Sequence, residues 1–386
     1  MHEQKLPHQE RKLFHILLLL IPAVTISLMY LGYTTYRTNQ FYNYVKSDQR
    51  GWSGKVHEAH KELGFAPIPN SRGLEIMPIG AAIPMRYDKD GFRIPVEDQL
   101  NTKDIHPVVL TLGCSFTYGA ATPAENTFPY LVGNYLGGST KNAGVCSYGL
   151  SQMVIIAKRL IPRHIPDYVI VQYSPWLVKR AVRPFAPSYY GKIPNPYYAD
   201  EDNLAIKPPI FQAKILDLPI DKYRNSQEGF FDFFSFLGNV GLPLFLHDDF
   251  NMTAYTLAKI LRLKDRPTKN RSAVIRHAYG EISKVADQNG AKLIIVILGE
   301  DHQPVSVQKD LLPNNAVVVD AHSALLNRLS TMDIQSYQRE YNHWRGDPPS
   351  LVDGHPNEKA HRIIAEKIVT QIDNGIAEQE KLTRTE

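Results

Sequence analysis

The chain has 386 residues, 43% of them hydrophobic and 21% charged, with a formal net charge of +4. That length supports one large α/β domain with insertions, or two domains. The small charge and the absence of a dense Lys/Arg block with interleaved aromatics argue against nucleic-acid binding. Two cysteines and no CxxC or HExxH spacing argue against a metal site.

In chain order, residues 1–12 form a short polar tail. Leu13 to Tyr36 then carries no Asp, Glu, Lys or Arg. A helix over 13–36 spans a hydrocarbon layer of about 30 Å at roughly 1.5 Å per residue. Lys5, Arg11 and Lys12 precede it and Arg37 follows. The positive-inside rule therefore keeps the N-terminus in the cytoplasm and exports the rest, periplasmic or at the cell surface. The apolar run is long for a cleaved signal and no A-x-A-like site follows, so a retained single-pass anchor is expected.

Residues 37–106 read as a tether and accessory region, with helical potential around His57 to Leu63 and a small hairpin at Tyr87–Pro95 (YDKDGFRIP). From 107 to 380 the pattern alternates. Val108–Leu112, Asp167–Gln172, Lys292–Leu298 and Ala316–Val319 are apolar runs suited to buried parallel strands. Thr127–Leu136, Leu150–Leu160 and Glu358–Ile372 suit helices. Alternation of this kind implies a parallel sheet with helices on both faces. Residues of about 180–270 interrupt it. They are rich in Pro and Tyr, include the cluster GFFDFFSFLGNVG (Gly229–Gly241), and read as a mostly helical cap.

Two segments carry chemistry. Ser115 follows the first strand within LGCSFTYG, at the carboxyl edge of the sheet, where parallel sheets bind ligands. Asp353 and His355 lie in LVDGHPN, before the last helix. A base that reaches the serine and a carboxylate that orients the base make a triad.

These segments resemble conserved blocks of the SGNH/GDSL hydrolase superfamily. GCSFTYG is similar to its GDSxTxG block and DGHPNEKAH to its terminal DxxHPN block. AENTFPYLVGNYLGG and KNAGVCSYGLSQ resemble its intervening blocks, and YDKDGFRIP resembles an element of a large bacterial branch. The resemblance implies a flavodoxin-like three-layer α/β/α domain and ester or acyl-transfer chemistry through an acyl-serine. It implies Ser115, Asp353 and His355 as catalytic residues, with no metal and no cofactor. It also implies backbone oxyanion donors at Ser115, Ser147 and Gly149.

The chain departs from the family pattern at three places. Cys114 stands where the family has Asp. Ser147 stands at the oxyanion glycine. Pro175 and Trp176 stand where the family has an Asn-Asp pair whose Asn is an oxyanion donor; Gln172, Tyr173 and Ser174 are the nearby candidates to replace it. In the family's fold the loops bearing Cys114 and Cys146 meet at the site, leaving two outcomes open: a disulfide, or two buried thiols.

The resulting expectation is an esterase or O-acyltransferase acting on an acylated (acetylated) extracytoplasmic glycan. A lipid esterase or lysophospholipase, and an inactive scaffold in a polysaccharide-export complex, are the alternatives.

Overall fold

The computed structural model describes residues 15–18, 20–29, 32, 56–75, 83–97, 104–188, 191–199, 204–209 and 270–385. The chain divides into two units: Met1–Gln49 with Leu218–Leu261, and Arg50–Asp217 with Arg262–Glu386. In the first, residues 15–18 and 20–29 are helical. Among the described residues no helix is long and apolar enough to cross a membrane. The rest of the expected 13–36 span, apart from Gly32, lies outside the described residues, as does the Gly229–Gly241 cluster.

The second unit begins with a hairpin, β1 (His57–His60) and β2 (Gly64–Pro67). This corrects the helix expected around His57–Leu63. Leu63 in the turn and Phe65 and Ala66 of β2 are all buried, so the hairpin delivers these three apolar side chains, set around Gly64, to the core. Strands β3 (Arg72–Glu75), β4 (Ile83–Tyr87) and β5 (Arg93–Ile94) follow, and β4 with β5 form the hairpin expected at the Asp-Gly turn.

The central layer comes next. Strand β6 (Val108–Leu112) leads into α1 (Ser115–Tyr118), then α2 (Phe128–Tyr135), β7 (Ser139–Asn142), α3 (Leu150–His164), β8 (Tyr168–Tyr173) and α4 (Pro175–Ala181). Short strands β9 (Phe185–Ser188), β10 (Gly191–Pro194), β11 (Tyr197–Tyr198) and β12 (Ile206–Lys207) pair locally. Past the end of α4, the described part of the expected helical cap forms short strands and turns; residues 189–190, 200–203 and 210–269 lie outside the described residues. Helix α5 (Arg271–Gln288), β13 (Lys292–Ile297), β14 (Val317–Asp320), α6 (Ala321–Leu326), α7 (Ile334–Tyr341), β15 (His343–Arg345), β16 (Ser350–Asp353) and α8 (Glu358–Thr385) complete the unit.

One sheet of eight strands runs β14-β13-β8-β6-β7-β5-β4-β3. Its first five strands are parallel. Numbered among themselves from the N-terminus, they take the doubly wound order 2-1-3-4-5. The other three add as an antiparallel extension through the single pair Arg93–Asn142, so the sheet is mixed rather than purely parallel. Helices α3, α4 and α5 pack together, while α2, α6 and α7 pack on α8. Every residue of β6 is buried, as befits a strand covered on both faces. In this strand order the crossovers diverge between β6 and β8, and the crevice at their carboxyl ends is where such sheets bind ligands. Ser115 and Gln172 stand there.

Candidate active site

The nucleophile turn is built by close packing. After β6, Gly113 passes so near its neighbours that a Cβ would lie 2.0 Å from Thr117 Oγ1 and 2.6 Å from Gln172 Oε1. Cys114 is extended (φ −98°, ψ −152°), and Ser115 opens the one-turn helix α1. Gln172, near the end of β8, braces the turn. Its Oε1 accepts from the Cys114 N–H (3.0 Å) and from Thr117 Oγ1 (2.9 Å). Its Nε2 donates to Ser174 Oγ (2.8 Å) and to Cys114 Sγ (3.3 Å).

Cys114, which stands where the family has Asp, is itself a hydrogen-bond acceptor here. Trp176 Nε1 (3.4 Å), Gln172 Nε2 and Ser115 Oγ (3.8 Å) all donate toward its sulfur. Burial pushes the thiol pKa up. The charge of Arg180 and the hydrogen bonds from Trp176, the Phe116 backbone and Gln172 outweigh burial, and the net shift is downward.

The other side of α1 rests on Arg93, which is 0% exposed. Its Nη1 donates to Tyr118 O (2.5 Å) and Gly119 O (2.7 Å), and its Nη2 to Thr122 O (2.6 Å). The guanidinium lies 4.1 Å from the centroid of the Tyr118 ring.

Asp353 ends β16, opposite His343 of β15. Its Oδ1 accepts from the His355 N–H (2.7 Å) and lies 2.6 Å from His355 Nδ1. With Nδ1–H donating to the carboxylate, the lone pair falls on Nε2, the tautomer a general base needs. Burial raises the Asp353 pKa, but its hydrogen bonds to His355 and the charges of His355 and His343 win, so the group stays below the ordinary carboxylate range.

The loop after Asp353 is fixed by its carbonyls. Asn342 Nδ2 donates to Gly354 O (2.9 Å) and His355 O (3.3 Å), and Thr122 Oγ1 donates to Pro356 O (3.3 Å). Asn357 Nδ2 donates to Glu340 O (3.0 Å) and Asn342 O (2.9 Å), while its Oδ1 caps α8 at the Ala360 N–H (3.0 Å).

Phe116 joins the two halves of the site. Its ring stands edge-on to His355 (centroids 5.5 Å apart) and to Trp176 (5.1 Å). The structure thus pairs Asp353 with His355 and sets the imidazole against the residue next to Ser115. The Ser115 hydroxyl, 6% exposed as a residue, points at Cys114 Sγ rather than at His355. Catalytic hydrogen bonds commonly tighten only once substrate is bound.

The oxyanion candidates divide. Ser115 is the first residue of α1, where a backbone N–H has no partner within the helix. Ser147 has φ +68°, in the left-handed region. The Gly149 N–H is taken by Gln152 Oε1 (2.9 Å), which corrects its assignment as a donor. Gln172 is occupied at both ends of its amide, and Ser174 Oγ donates to Leu298 O (2.7 Å). Tyr173 lies against Tyr279, ring centroids 6.1 Å apart. Gln172 Nε2 and the Ser174 hydroxyl are thus committed to other partners.

Cys114 and Cys146 form no disulfide. The Cys114 sulfur faces the Gln172 and Trp176 donors, whereas Cys146 packs with Val56, Met85, Tyr87, Tyr118 and Ala120. Among the described residues no three His, Cys, Asp or Glu side chains converge as metal ligands.

Sequence reasoning missed the supports. Arg93 was within reach, since it lies in the GFRIP block. Thr122, Asn342 and His343 carry no local signal.

No family model matches the chain, and no curated protein does. Among solved structures it is similar to an acetylxylan esterase from Geobacillus stearothermophilus, at 12% identity over 70% of this chain and 95% of the other, TM-score 0.33. It is also similar to a lipolytic protein of the G-D-S-L family from Veillonella parvula, at 10% identity over 68% and 96%, TM-score 0.31. A third is an α/β hydrolase from the metagenome of Lake Arreo, at 11% identity over 70% and 96%, TM-score 0.36.

Proposed function

We propose that the chain is an SGNH-type serine esterase or O-acyltransferase that works through an acyl-Ser115 intermediate on an acylated extracytoplasmic glycan. The observation that carries this reading is the Asp353–His355 pair, whose single carboxylate oxygen engages both N–H groups of the histidine beside the serine turn.

His355 Nε2 takes the Ser115 hydroxyl proton as Oγ attacks the ester carbonyl. The carbonyl oxygen becomes an oxyanion facing the N–H groups of Ser115 and Ser147. Collapse expels the alkoxide, which leaves with the proton held by His355. Water, or a sugar hydroxyl in a transferase, then gives its proton to His355 and attacks the acyl-serine, releasing free acid or a new ester and restoring Ser115.

The glycan is supported by the Tyr- and Pro-rich segment Pro184–Tyr198 and by the export reading. The export reading draws support from the helical residues 15–18 and 20–29. Ile16, Leu18, Ile21, Ile26, Leu28 and Met29 are each more than half exposed. The hydroxyls of Thr25 and Ser27 bond back to Ile21 O and Ala23 O, each 2.8 Å, as polar groups in lipid must be satisfied within their own helix.

Labelling of the full-length protein with a fluorophosphonate tests the chemistry without a known substrate. Wild type should label, Ser115→Ala should not, and His355→Ala should label at least 100-fold more slowly. Equal labelling of wild type and Ser115→Ala, or none of either, would refute the enzyme reading; the second result would favour a scaffold. A reporter active only outside the cytoplasm, fused after Glu386, should be active, and the protein should stay with membranes through a high-salt wash. An inactive reporter would reverse the orientation.

A further inference from the structure

Losing the family's Asn leaves the site short of one side-chain donor, and the amide of Gln172 and the hydroxyl of Ser174 beside that position are engaged elsewhere. We propose that Arg180 supplies the donor: its guanidinium, carried on the face of α4 that meets the nucleophile turn, stabilises the oxyanion formed at the acyl-serine step. This inference rests on the hydrolase reading of Ser115.

Trp176 and Arg180 are four residues apart on α4, so they share one helix face. Trp176 shows where that face looks. Its indole N–H reaches Cys114 Sγ at 3.4 Å, and its ring meets Phe116 at 5.1 Å. Cys114 and Phe116 flank Ser115. One turn further on, Arg180 Nη1 donates to Tyr148 O (3.0 Å), and Tyr148 directly follows Ser147. The guanidinium therefore stands at the junction of the two loops whose N–H groups face the oxyanion.

The approach is close. A Cβ on Gly149 would lie 2.8 Å from Arg180 Cβ and 2.9 Å from Leu177 O, so this glycine lets α4 seat against the loop. Arg180 is half-buried and makes that one side-chain hydrogen bond among the described residues, with no carboxylate in ion-pair range. Among the described residues, most of its N–H groups and its charge face no partner. The downward pull of Arg180 on the Cys114 thiol shows that its field reaches the residue next to the nucleophile. A charged donor to an oxyanion makes a stronger bond than the neutral amide it replaces.

When Ser115 Oγ bonds to the ester carbon, the carbon–oxygen π pair moves onto the carbonyl oxygen. Arg180 faces that negative charge without giving up a proton. When the tetrahedral species collapses, the pair returns and the alkoxide leaves with the proton from His355.

The test uses the full-length protein, p-nitrophenyl acetate and the fluorophosphonate. The acetate ester has no negative group, so a salt bridge to substrate cannot account for an effect. Arg180→Gln should lower kcat by about 100-fold or more, the usual effect of removing one oxyanion donor, with KM within about threefold. Fluorophosphonate labelling should slow in parallel. Arg180→Lys should recover about tenfold over Gln, because it keeps the charge. Thermal melts of both variants should stay near wild type.

A kcat within threefold of wild type in Arg180→Gln would overturn the proposal. So would a change in KM alone, or equal losses in Lys and Gln accompanied by lower melting temperatures, which would make Arg180 only a bracket for Tyr148 O. If wild type shows no Ser115-dependent labelling, the hydrolase reading itself fails and this proposal with it. Normal labelling of wild type with no effect of Arg180 would reject this proposal alone.

Discussion

Arg93 lies far from Ser115 in sequence, yet the site depends on it. Its guanidinium is fully buried and satisfies three backbone carbonyls, those of Tyr118, Gly119 and Thr122, at the end of the helix that Ser115 begins. Arg93→Met keeps the apolar stem and removes every donor. Tyr118 O keeps Asn142 Nδ2 (3.4 Å) and Gly119 O keeps the Thr122 N–H (3.2 Å), so the main loss falls on Thr122 O, at about 1–3 kcal/mol for a buried carbonyl left without a partner. The contact with the Tyr118 ring is lost as well, about 1 kcal/mol. A net loss of about 2–4 kcal/mol is expected. That is a large share of the roughly 5–15 kcal/mol that holds a domain together, but it leaves the variant folded. Arg93→Lys keeps the charge but not the fork that spans the carbonyls, and should lose about half as much.

Urea denaturation reads the stability change as a lower midpoint at constant slope. Fluorophosphonate labelling below the transition reads the site. Because the freed carbonyls belong to the α1 end and its following loop, labelling should slow about tenfold or more even where the protein is fully folded. An Arg93→Met variant within about 1 kcal/mol of wild type, labelling at the wild-type rate, would refute the reasoning.

Two further outcomes follow from the packing. Gly113→Ala places a Cβ 2.0 Å from Thr117 Oγ1 and 2.6 Å from Gln172 Oε1; it should cost about 1–3 kcal/mol by overpacking and sharply slow labelling, and an unchanged urea midpoint would argue against so tight a turn. His361 is fully buried, its Nδ1 accepting from the Phe128 N–H (3.2 Å), and burial first, then the charges of His343, Arg93 and His355, lowers its pKa from 6.5 to about 3. Between those values the unfolded chain binds the extra proton, so its contribution is whole above pH 6.5 and is lost as the pH falls toward 3. Across pH 7 to 5 that share is about 2 kcal/mol. His361→Gln keeps an acceptor and should shrink the stability difference between those two pH values by about that amount; an undiminished difference in urea unfolding would place the acid sensitivity elsewhere.

The sequence by itself determined the parts whose causes are local. Continuous apolar runs can be satisfied only as covered strands, and β6, β8, β13 and β14 fall within about a residue of the runs that predict them. Ser115 at a strand end, and Asp353 two residues before His355, are likewise short-range facts, and the second becomes a short hydrogen-bonded pair in the fold.

Tertiary structure decided whatever depends on residues distant in the chain. The hairpin at His57–Pro67 forms where local composition favours helix, because Leu63 and Phe65 find a core to enter. The antiparallel extension of the sheet hangs on one pairing, Arg93 with Asn142, that no periodicity encodes. Direction matters as much as position: Gln172 and Ser174 turn toward Cys114 and Leu298 O rather than the serine hydroxyl, and Cys114 turns toward Trp176 rather than Cys146. A side chain's bearing is set by what packs around it, and for Arg93, Gln172 and Arg180 those neighbours arrive only when the chain has folded.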